Sequence, residues 1–358
     1  MRKRMIRQIK VEKLEPVTGP LNPTMRSARP LGPRASLYVT SRNICEISTL
    51  LTRGLWRYAD WKAWAVMTSE SSWLNERHLW QLDYEDPDGR EFAMLEEIAR
   101  QASVIHLDSY HTWQFLGKME RELAGKKRMV VHHHAMRLRE DPSIAQIEAD
   151  AGYRVLVSTP DLLLHAPNAT WLPSPIPLEE LDHCYPRWEK EGPVVVGHCY
   201  TVAENKKTGV FDRIMGEATR RARNLTYMPW HGIRRRQSQW LLSQCDVYFA
   251  TYLYGPGLAT IEAMAFGIPA LVGCTEDELR WQCKAVGVDH PDDLPWIYVT
   301  PATTGDWIRT LVNEPELRRK WGAKGRAYVE KFHDVPRVVE RLVDIYEQTE
   351  PCRHLVKL

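Results

Sequence analysis

From about residue 35 onward, short apolar segments alternate with amphipathic stretches along the chain. The apolar segments, such as 128–133, place hydrophobic residues at consecutive positions, which is typical of strands buried on both faces of a parallel sheet. The stretches between them repeat hydrophobic residues at helical spacing. In the first half, this pattern predicts strands at 36–40, 62–68, 103–107, 128–133 and 153–158, and helices near 43–58, 91–101, 111–125 and 142–151.

A second series of the same kind follows. It predicts strands at 194–197, 225–228, 246–251, 270–272 and 296–299, and helices at 209–223, 233–243, 259–266, 303–314, 316–332 and 336–347. Pro173, Pro175 and Pro177 interrupt the alternation between the two series, because proline continues neither a helix nor a central strand. We therefore predict an α/β protein with two Rossmann-like domains, at 35–175 and 193–334, joined by a linker at 176–192.

The charge of the chain is concentrated at its N-terminus. Residues 1–34 carry nine basic and two acidic side chains, so this segment is +7 and the remaining chain is −5. The segment also holds five prolines, which predicts an extended or partly disordered arm. Such an arm is either a solvated tail or a contact for an acidic partner, such as nucleic acid or a membrane surface.

Cysteine usage and hydropathy bear on the compartment. The seven cysteines are scattered and form no CxxC pair, which is typical of a reducing compartment and not of a disulfide framework or a zinc site. No apolar run is long enough to span a bilayer, and no hydrophobic segment follows the basic N-terminus as in a signal peptide. We therefore expect a cytoplasmic protein.

The segment 245–272 reads CDVYFATYLYGPGLATIEAMAFGIPALV. A buried strand is followed by a glycine-containing loop and then by a helix, and the backbone amides at the start of a helix attract phosphate. Glu262 is expected in the first turn of that helix, where its carboxylate could accept two hydrogen bonds from a ribose diol. The predicted nucleotide-sugar-binding positions at the start of this helix are Gly257, Leu258, Ala259 and Thr260.

This segment resembles the signature of GT-B glycosyltransferases of the family-4 type. The matching positions are Asp246, Gly257, Glu262, Ala263, Met264, Ala265, Gly267 and Pro269. The resemblance implies a GT-B fold, in which two Rossmann-like domains face a central cleft and a C-terminal helix, here within 335–358, crosses back to pack on the first domain. Many members carry a second glutamate eight positions before Glu262, and this chain has Tyr254 there.

Other stretches match the same family in the expected order. By resemblance, residues 194–208 supply the contacts to the donor diphosphate: Lys206 with Lys207 in place of a glycine, and His198 just after the strand. Trp230-His231-Gly232-Ile233 lies where these proteins hold the nucleotide base, largely through backbone groups.

The first domain also contributes candidates. Residues 131–139 resemble an H-G-S-x-x-R stretch, which implies that His134 contacts the donor sugar and that Arg139 is the matching arginine. Three consecutive histidines, 132–134, could instead bind a metal, but neighbouring side chains on a strand point in opposite directions, so we predict no metal site. Arg42 lies in the loop after the first strand, where an acceptor or phosphate loop is expected.

The resemblance implies a retaining, metal-independent glycosyltransferase that moves a hexose-type sugar from a nucleotide-diphosphate donor, UDP or GDP, without a further cofactor. The acceptor stays open: a glycan, a lipid, a protein or a modified nucleic acid. Two alternatives also stay open, namely a catalytically degenerate sugar-nucleotide or partner-binding protein and a sugar-nucleotide epimerase. Ordinary structural roles fit some of the same residues, with His198 as a core histidine and Lys206 and Lys207 in a solvated turn.

Overall fold

The computed structural model describes residues 32–40, 46–67, 80–81, 90–108, 119–134, 136–184, 192–201 and 203–356. The predicted arm lies outside the described residues up to position 31, and Arg42 lies outside them as well. Of the helix predicted at 111–125, residues 119–125 are described, and Glu120–Leu123 are helical. From Leu31 to Leu358 the chain forms one compact unit.

Seven parallel strands form the first sheet, in the order β3-β2-β1-β4-β5-β6-β7. The sequence predicted five of these strands, but β3 and β7 have two residues each, too few to show a hydrophobic pattern. Their bounds are β1 Ala35–Thr40, β2 Lys62–Met67, β3 Trp80–Gln81, β4 Val104–Asp108, β5 Arg128–His133, β6 Arg154–Val157 and β7 Thr170–Trp171. We call the part of the protein built on this sheet the first lobe.

Helices connect the strands of the first lobe, as a parallel sheet requires. The predicted linker is not wholly irregular, because Leu178–Cys184 forms a helix inside it. A 3₁₀-helix at Pro160–Leu164 was not predicted. The α-helices are α1 Ile47–Tyr58, α2 Arg90–Gln101, α3 Glu120–Leu123, α4 Met136–Glu140, α5 Ser143–Asp150 and α6 Leu178–Cys184.

A second parallel sheet has the order β12-β11-β10-β8-β9 and defines the second lobe. Its strands are β8 Val194–Cys199, β9 Leu225–Trp230, β10 Val247–Phe249, β11 Ala270–Val272 and β12 Ile297–Tyr298. The helices that follow are α7 Thr208–Arg221, α8 Arg235–Ser243, α9 Leu258–Ala265, α10 Glu276–Val286, α11 Thr304–Asn313, α12 Pro315–Phe332 and α13 Val335–Gln348.

Helix α10 was not predicted, although its sequence contains a helix start signal. Thr275 and Glu278 form a capping box, in which the threonine hydroxyl accepts from the Glu278 amide and the glutamate accepts from the Thr275 amide. Among the described residues, no helix is both long and apolar enough to cross a bilayer.

The last helix, α13, returns to the first lobe, as predicted. Its apolar face joins a cluster with Leu51 of α1 and with Trp61. The two helices approach closely at Gly54, where a Cβ atom would lie 2.5 Å from Cγ2 of Val339. Burial of this face at roughly 25 cal/mol per Å² fixes the end of the chain on the first sheet.

His333 fastens the junction between α12 and α13 to the segment after β7. Its Nδ1 donates to the Ser174 carbonyl oxygen at 2.9 Å, and its Nε2 lies 3.2 Å from the Tyr328 hydroxyl. The side chain is buried, and burial lowers the pKa of His333 to about 4. The folded protein therefore keeps this ring neutral at pH values where an exposed histidine takes up a proton.

We expect Gly322→Ala to destabilise the protein by about 1–3 kcal/mol, because a Cβ there would overlap the backbone carbonyl of Gly267, which lies just after α9. Gly216→Ala is the matched control, since this helical glycine faces open space and alanine should stabilise it by about 0.5–1 kcal/mol. Urea unfolding measures both. Equal effects of the two substitutions would contradict the packing described here.

We also expect His333 to make the protein less stable as the pH is lowered. An unfolded histidine titrates near about 6.5, so between pH 6.5 and about 4 the unfolded chain binds a proton that the folded chain does not. This lowers stability by up to about 1.4 kcal/mol per pH unit on acidification. His333→Gln should reduce the slope between pH 7 and 5, measured by urea unfolding, whereas the exposed His290→Gln should not. Unchanged slopes in both variants would exclude this role for His333.

Candidate functional site

Each sheet has one place where the strand order reverses, between β1 and β4 in the first lobe and between β8 and β10 in the second. In open parallel sheets, ligands bind beyond the carboxyl ends of the strands at such a place. Lys206 and Lys207 follow β8, and Gly257 and Glu262 follow β10. The predicted second-lobe residues therefore surround this reversal.

The start of α9 offers an anion-binding surface. Gly257 caps the helix, and its carbonyl oxygen accepts from the amides of Thr260 and Ile261 at 2.9 and 3.2 Å. The amides of Leu258 and Ala259 have no acceptor among the described residues. No atom would lie within 4 Å of a Cβ at Gly257, so an approaching group meets backbone and not side chain.

Glu262 lies in the second turn of α9, and not in the first turn as predicted, because the helix begins at Leu258. Its carboxylate is buried. Oε1 accepts from Arg235 Nε and from Gln239 Nε2, each at 2.8 Å. Oε2 has no partner among the described residues, so this oxygen is the one available to a ligand.

Arg235 also reaches the first lobe. Its Nη1 donates to Glu46 Oε2 at 2.7 Å, and Glu46 directly precedes α1. The arginine side chain is only 10% exposed, so both ion pairs are shielded from water. Sequence reasoning identified neither Arg235 nor Glu46.

Lys206 ends a 3₁₀ turn, Glu204–Lys206, and its Nζ donates to the Cys199 carbonyl oxygen at 2.5 Å. Burial raises the pKa of the Cys199 thiol, and the charges of both Lys206 and Glu262 act on it. The contact with the Cys199 carbonyl oxygen places Lys206 at the end of β8. Lys207 is exposed and has φ 56°, a left-handed conformation that a glycine adopts without strain.

His198 does not reach the predicted position. β8 continues to Cys199, so His198 lies inside the strand and is fully buried. Nδ1 donates to the Phe249 carbonyl oxygen, which makes Nε2 the acceptor for the Thr208 hydroxyl, both at 3.0 Å. Burial lowers the pKa of His198 to about 4, so the ring is neutral and both nitrogens are used. This geometry supports the core-histidine interpretation, and we omit His198 from the diphosphate contacts.

At the ends of β8 and β9, Tyr200 and His231 stack with ring centroids 5.0 Å apart. His231 is exposed, and Gly232 beside it has φ 64°. The predicted base-binding stretch is therefore accessible, and Tyr200 adds an aromatic face that the sequence analysis did not identify.

In the first lobe, His134 lies near the reversal between β1 and β4. Its Nε2 is 3.8 Å from Asp108 Oδ1 and 3.5 Å from the Tyr38 hydroxyl, and burial lowers the pKa of the ring. Thr40 donates to Asp108 Oδ2 at 2.8 Å. Asp108 was not predicted, although its position at the end of β4 is a signal for it.

The neighbouring histidines separate as strand geometry requires. The rings of His132 and His134 lie on one side, with centroids 4.1 Å apart, while His133 Nε2 pairs with Glu148 on the other side at 2.7 Å. The described residues contain no group of three or more His, Cys, Asp or Glu side chains that could hold a metal ion.

Arg139 makes a second connection between the lobes. Its Nε and Nη2 donate to Asp161 Oδ2, at 3.1 and 2.5 Å. The guanidinium also lies over the ring of Tyr254 in the loop after β10, 4.2 Å from its centroid. Tyr254, the residue that replaces the family's glutamate, has φ 67°.

No family model and no curated protein matches the sequence of this chain. Among solved structures, it is similar to Anabaena HepE in complex with UDP-glucose, with a TM-score of 0.60 and 12% identity, over 87% of this chain and 99% of that one. A glycosyltransferase from Rickettsia africae matches with a TM-score of 0.57 and 9% identity, over 88% and 98%. The trehalose-6-phosphate synthase OtsA matches with a TM-score of 0.59 and 9% identity, over 88% and 100%.

At such low identity these matches establish the fold alone. Each spans nearly the whole length of the matched protein, and two parallel α/β sheets with a returning C-terminal helix are present here. The chain has the GT-B fold of these glycosyltransferases.

Proposed function

We propose that this protein is a retaining glycosyltransferase, which moves a hexose-type sugar from a nucleotide-diphosphate donor to an acceptor. The observation that carries the proposal is the arrangement after β8 and β10. Two helix amides without acceptors, a lysine and a buried carboxylate with one available oxygen lie at the same strand reversal. This set matches the phosphates and the ribose of a nucleoside diphosphate in charge and in hydrogen-bonding capacity.

In the proposed complex, each part of the donor has its own contacts. The amides of Leu258 and Ala259 and the Lys206 ammonium hold the diphosphate, and Oε2 of Glu262 accepts from the ribose hydroxyls. The base lies against the stretch with His231 and Gly232. UDP or GDP is the expected nucleotide, and the UDP-glucose bound to the structurally similar HepE supports a donor of this class.

In the proposed reaction, the bond between the sugar and the diphosphate breaks while the acceptor oxygen attacks the same face of the sugar. A phosphate oxygen of the donor takes the acceptor proton, and no metal takes part. Lys206 stabilises the charge that develops on the departing diphosphate. His134 orients the sugar from the first lobe. Because burial lowers the pKa of its ring, His134 would act as a neutral hydrogen-bonding group.

Tyr254 and its contact with Arg139 favour a second candidate, a protein that binds the sugar nucleotide without turnover. The family's glutamate is replaced here, and an aromatic ring and a paired guanidinium occupy its surroundings. Binding and turnover must therefore be measured separately.

We expect a nucleotide sugar to stabilise the purified protein, and EDTA to have no effect on this stabilisation. A donor present at about 100 times its Kd should add about 2.7 kcal/mol of stability. A thermal-shift and nucleotide-release screen with UDP-, GDP-, ADP- and dTDP-sugars measures this. Stabilisation with slow release of nucleotide indicates a transferase that also hydrolyses its donor, stabilisation without any release or transfer favours the binding protein, and no response to any donor contradicts both.

We expect Lys206→Ala and Glu262→Ala each to reduce turnover by on the order of 10²-fold, because each removes a charge contact to the donor. The exposed residues Lys320 and Glu217 provide matched controls, Lys320→Ala and Glu217→Ala, which should keep full turnover. Initial rates of nucleotide release with the donor identified in the screen measure all four. Turnover within about threefold of wild type in both site variants would refute the assignment.

A further inference from the structure

The Glu262 carboxylate has a limited number of acceptor positions. A carboxylate offers about four lone-pair sites, two on each oxygen. Arg235 Nε and Gln239 Nε2 occupy Oε1, each at 2.8 Å. The two sites on Oε2 then remain, which is the number that the 2′- and 3′-hydroxyls of a ribose need. The orientation of the carboxylate therefore determines whether both hydroxyls can be bound.

Arg235 is suited to fix that orientation. Its guanidinium is planar, and it contacts two carboxylates with two different nitrogens, Glu262 through Nε and Glu46 through Nη1. Because these nitrogens belong to one rigid group, the position of Glu46 constrains the angle at which Nε meets Glu262. Glu46 belongs to the first lobe and Glu262 to the second.

The burial of this group makes the contacts strong and makes their loss costly. The exposed fractions of the Arg235 and Glu262 side chains are 10% and 4%, whereas Glu46 keeps 26%. Hydrogen bonds to charged groups are stronger than those between neutral groups, and a buried carboxylate without its partner is strongly unfavourable. Without Arg235, the Glu262 carboxylate would therefore turn toward its remaining hydrogen-bond donors, and Oε2 would no longer face the ribose hydroxyls.

We propose that Arg235 is a positioning residue for the donor ribose, which holds Glu262 with Oε2 toward the ligand and makes this orientation depend on Glu46 of the first lobe. The proposal rests on the proposed function, since it assigns Oε2 of Glu262 to the ribose. It adds that recognition of the ribose in the second lobe depends on an ion pair with the first lobe.

The test uses the full-length protein and calorimetric titration with UDP and with 2′-deoxy-UDP, or with GDP and 2′-deoxy-GDP if the donor screen selects guanosine. Wild type should prefer the ribonucleotide. Arg235→Gln should raise the Kd for the ribonucleotide by about tenfold or more, equivalent to about 1.4 kcal/mol. It should also bring the affinities of the ribonucleotide and the deoxyribonucleotide close together. Arg235→Lys should keep only part of the preference for the ribonucleotide. Lysine retains the positive charge, but its ammonium group cannot contact both carboxylates with the geometry of a guanidinium. Arg236→Gln, on the adjacent exposed residue, is the control and should match wild type.

Glu46→Gln tests the connection between the lobes, and it keeps Glu262 and Arg235 in place if Arg235→Gln folds poorly. It should raise the Kd for the ribonucleotide by about threefold to tenfold, and it should add nothing when combined with Arg235→Gln, because the two residues act through one contact. If Arg235→Gln lowers thermal stability but leaves the Kd and the ribose preference unchanged, Arg235 has a purely structural role and the inference is overturned. If only Glu46→Gln folds, the same result in that variant overturns the inference. Absence of nucleotide binding in wild type would overturn the proposed function together with it.

Discussion

One guanidinium lies between two carboxylates at the point where the two lobes meet, and much of the site depends on it. Glu262 is almost completely removed from water, so its charge must be balanced by nearby donors. Arg235 and Gln239 supply them from α8, and Arg235 also pairs with a second carboxylate, that of Glu46, which directly precedes α1. The need to pair a buried carboxylate thus fixes a helix of one lobe against a helix of the other.

Some non-glycine residues of this protein have an unfavourable backbone conformation with positive φ. Among the described residues, Glu46, Asp60, Lys207 and Tyr254 are the non-glycine residues with positive φ. Two of them, Glu46 and Tyr254, contact a residue of the other lobe, and such conformations cost about 1–3 kcal/mol each. Side-chain contacts hold two of these residues in place, the ion pair of Glu46 with Arg235 and the contact of the Tyr254 ring with Arg139. Two of the four unfavourable backbone positions therefore lie at contacts between the lobes, while none of the four lies within a strand.

The sequence predicted the sheets well because buried parallel strands consist of consecutive apolar residues, as in 128–133. It also predicted α9 and the surroundings of Glu262, because a strand, a glycine loop and a helix follow one another locally. Arg235 could not be found in this way, since its partner Glu46 is 189 residues away in the chain. The strand containing His198 was predicted to end at residue 197. It extends to Cys199, so His198 lies within the strand and its side chain is buried in the core. Contacts between distant segments and exact strand ends both depend on tertiary packing.

Tyr254 lies where the signature that this chain resembles has a glutamate, and its ring contacts a charged residue of the first lobe. A glutamate at this position would place a negative charge beside Arg139, whereas tyrosine presents the face of a neutral ring at 4.2 Å. The charge of Arg139 is instead met by Asp161, which accepts from two of its nitrogens and is buried. A carboxylate thus still lies next to this guanidinium, but it comes from the 3₁₀-helix after β6. Under the proposed transfer reaction, this arrangement removes a negative charge from the second lobe, on which the departing diphosphate lies, and keeps one in the first lobe.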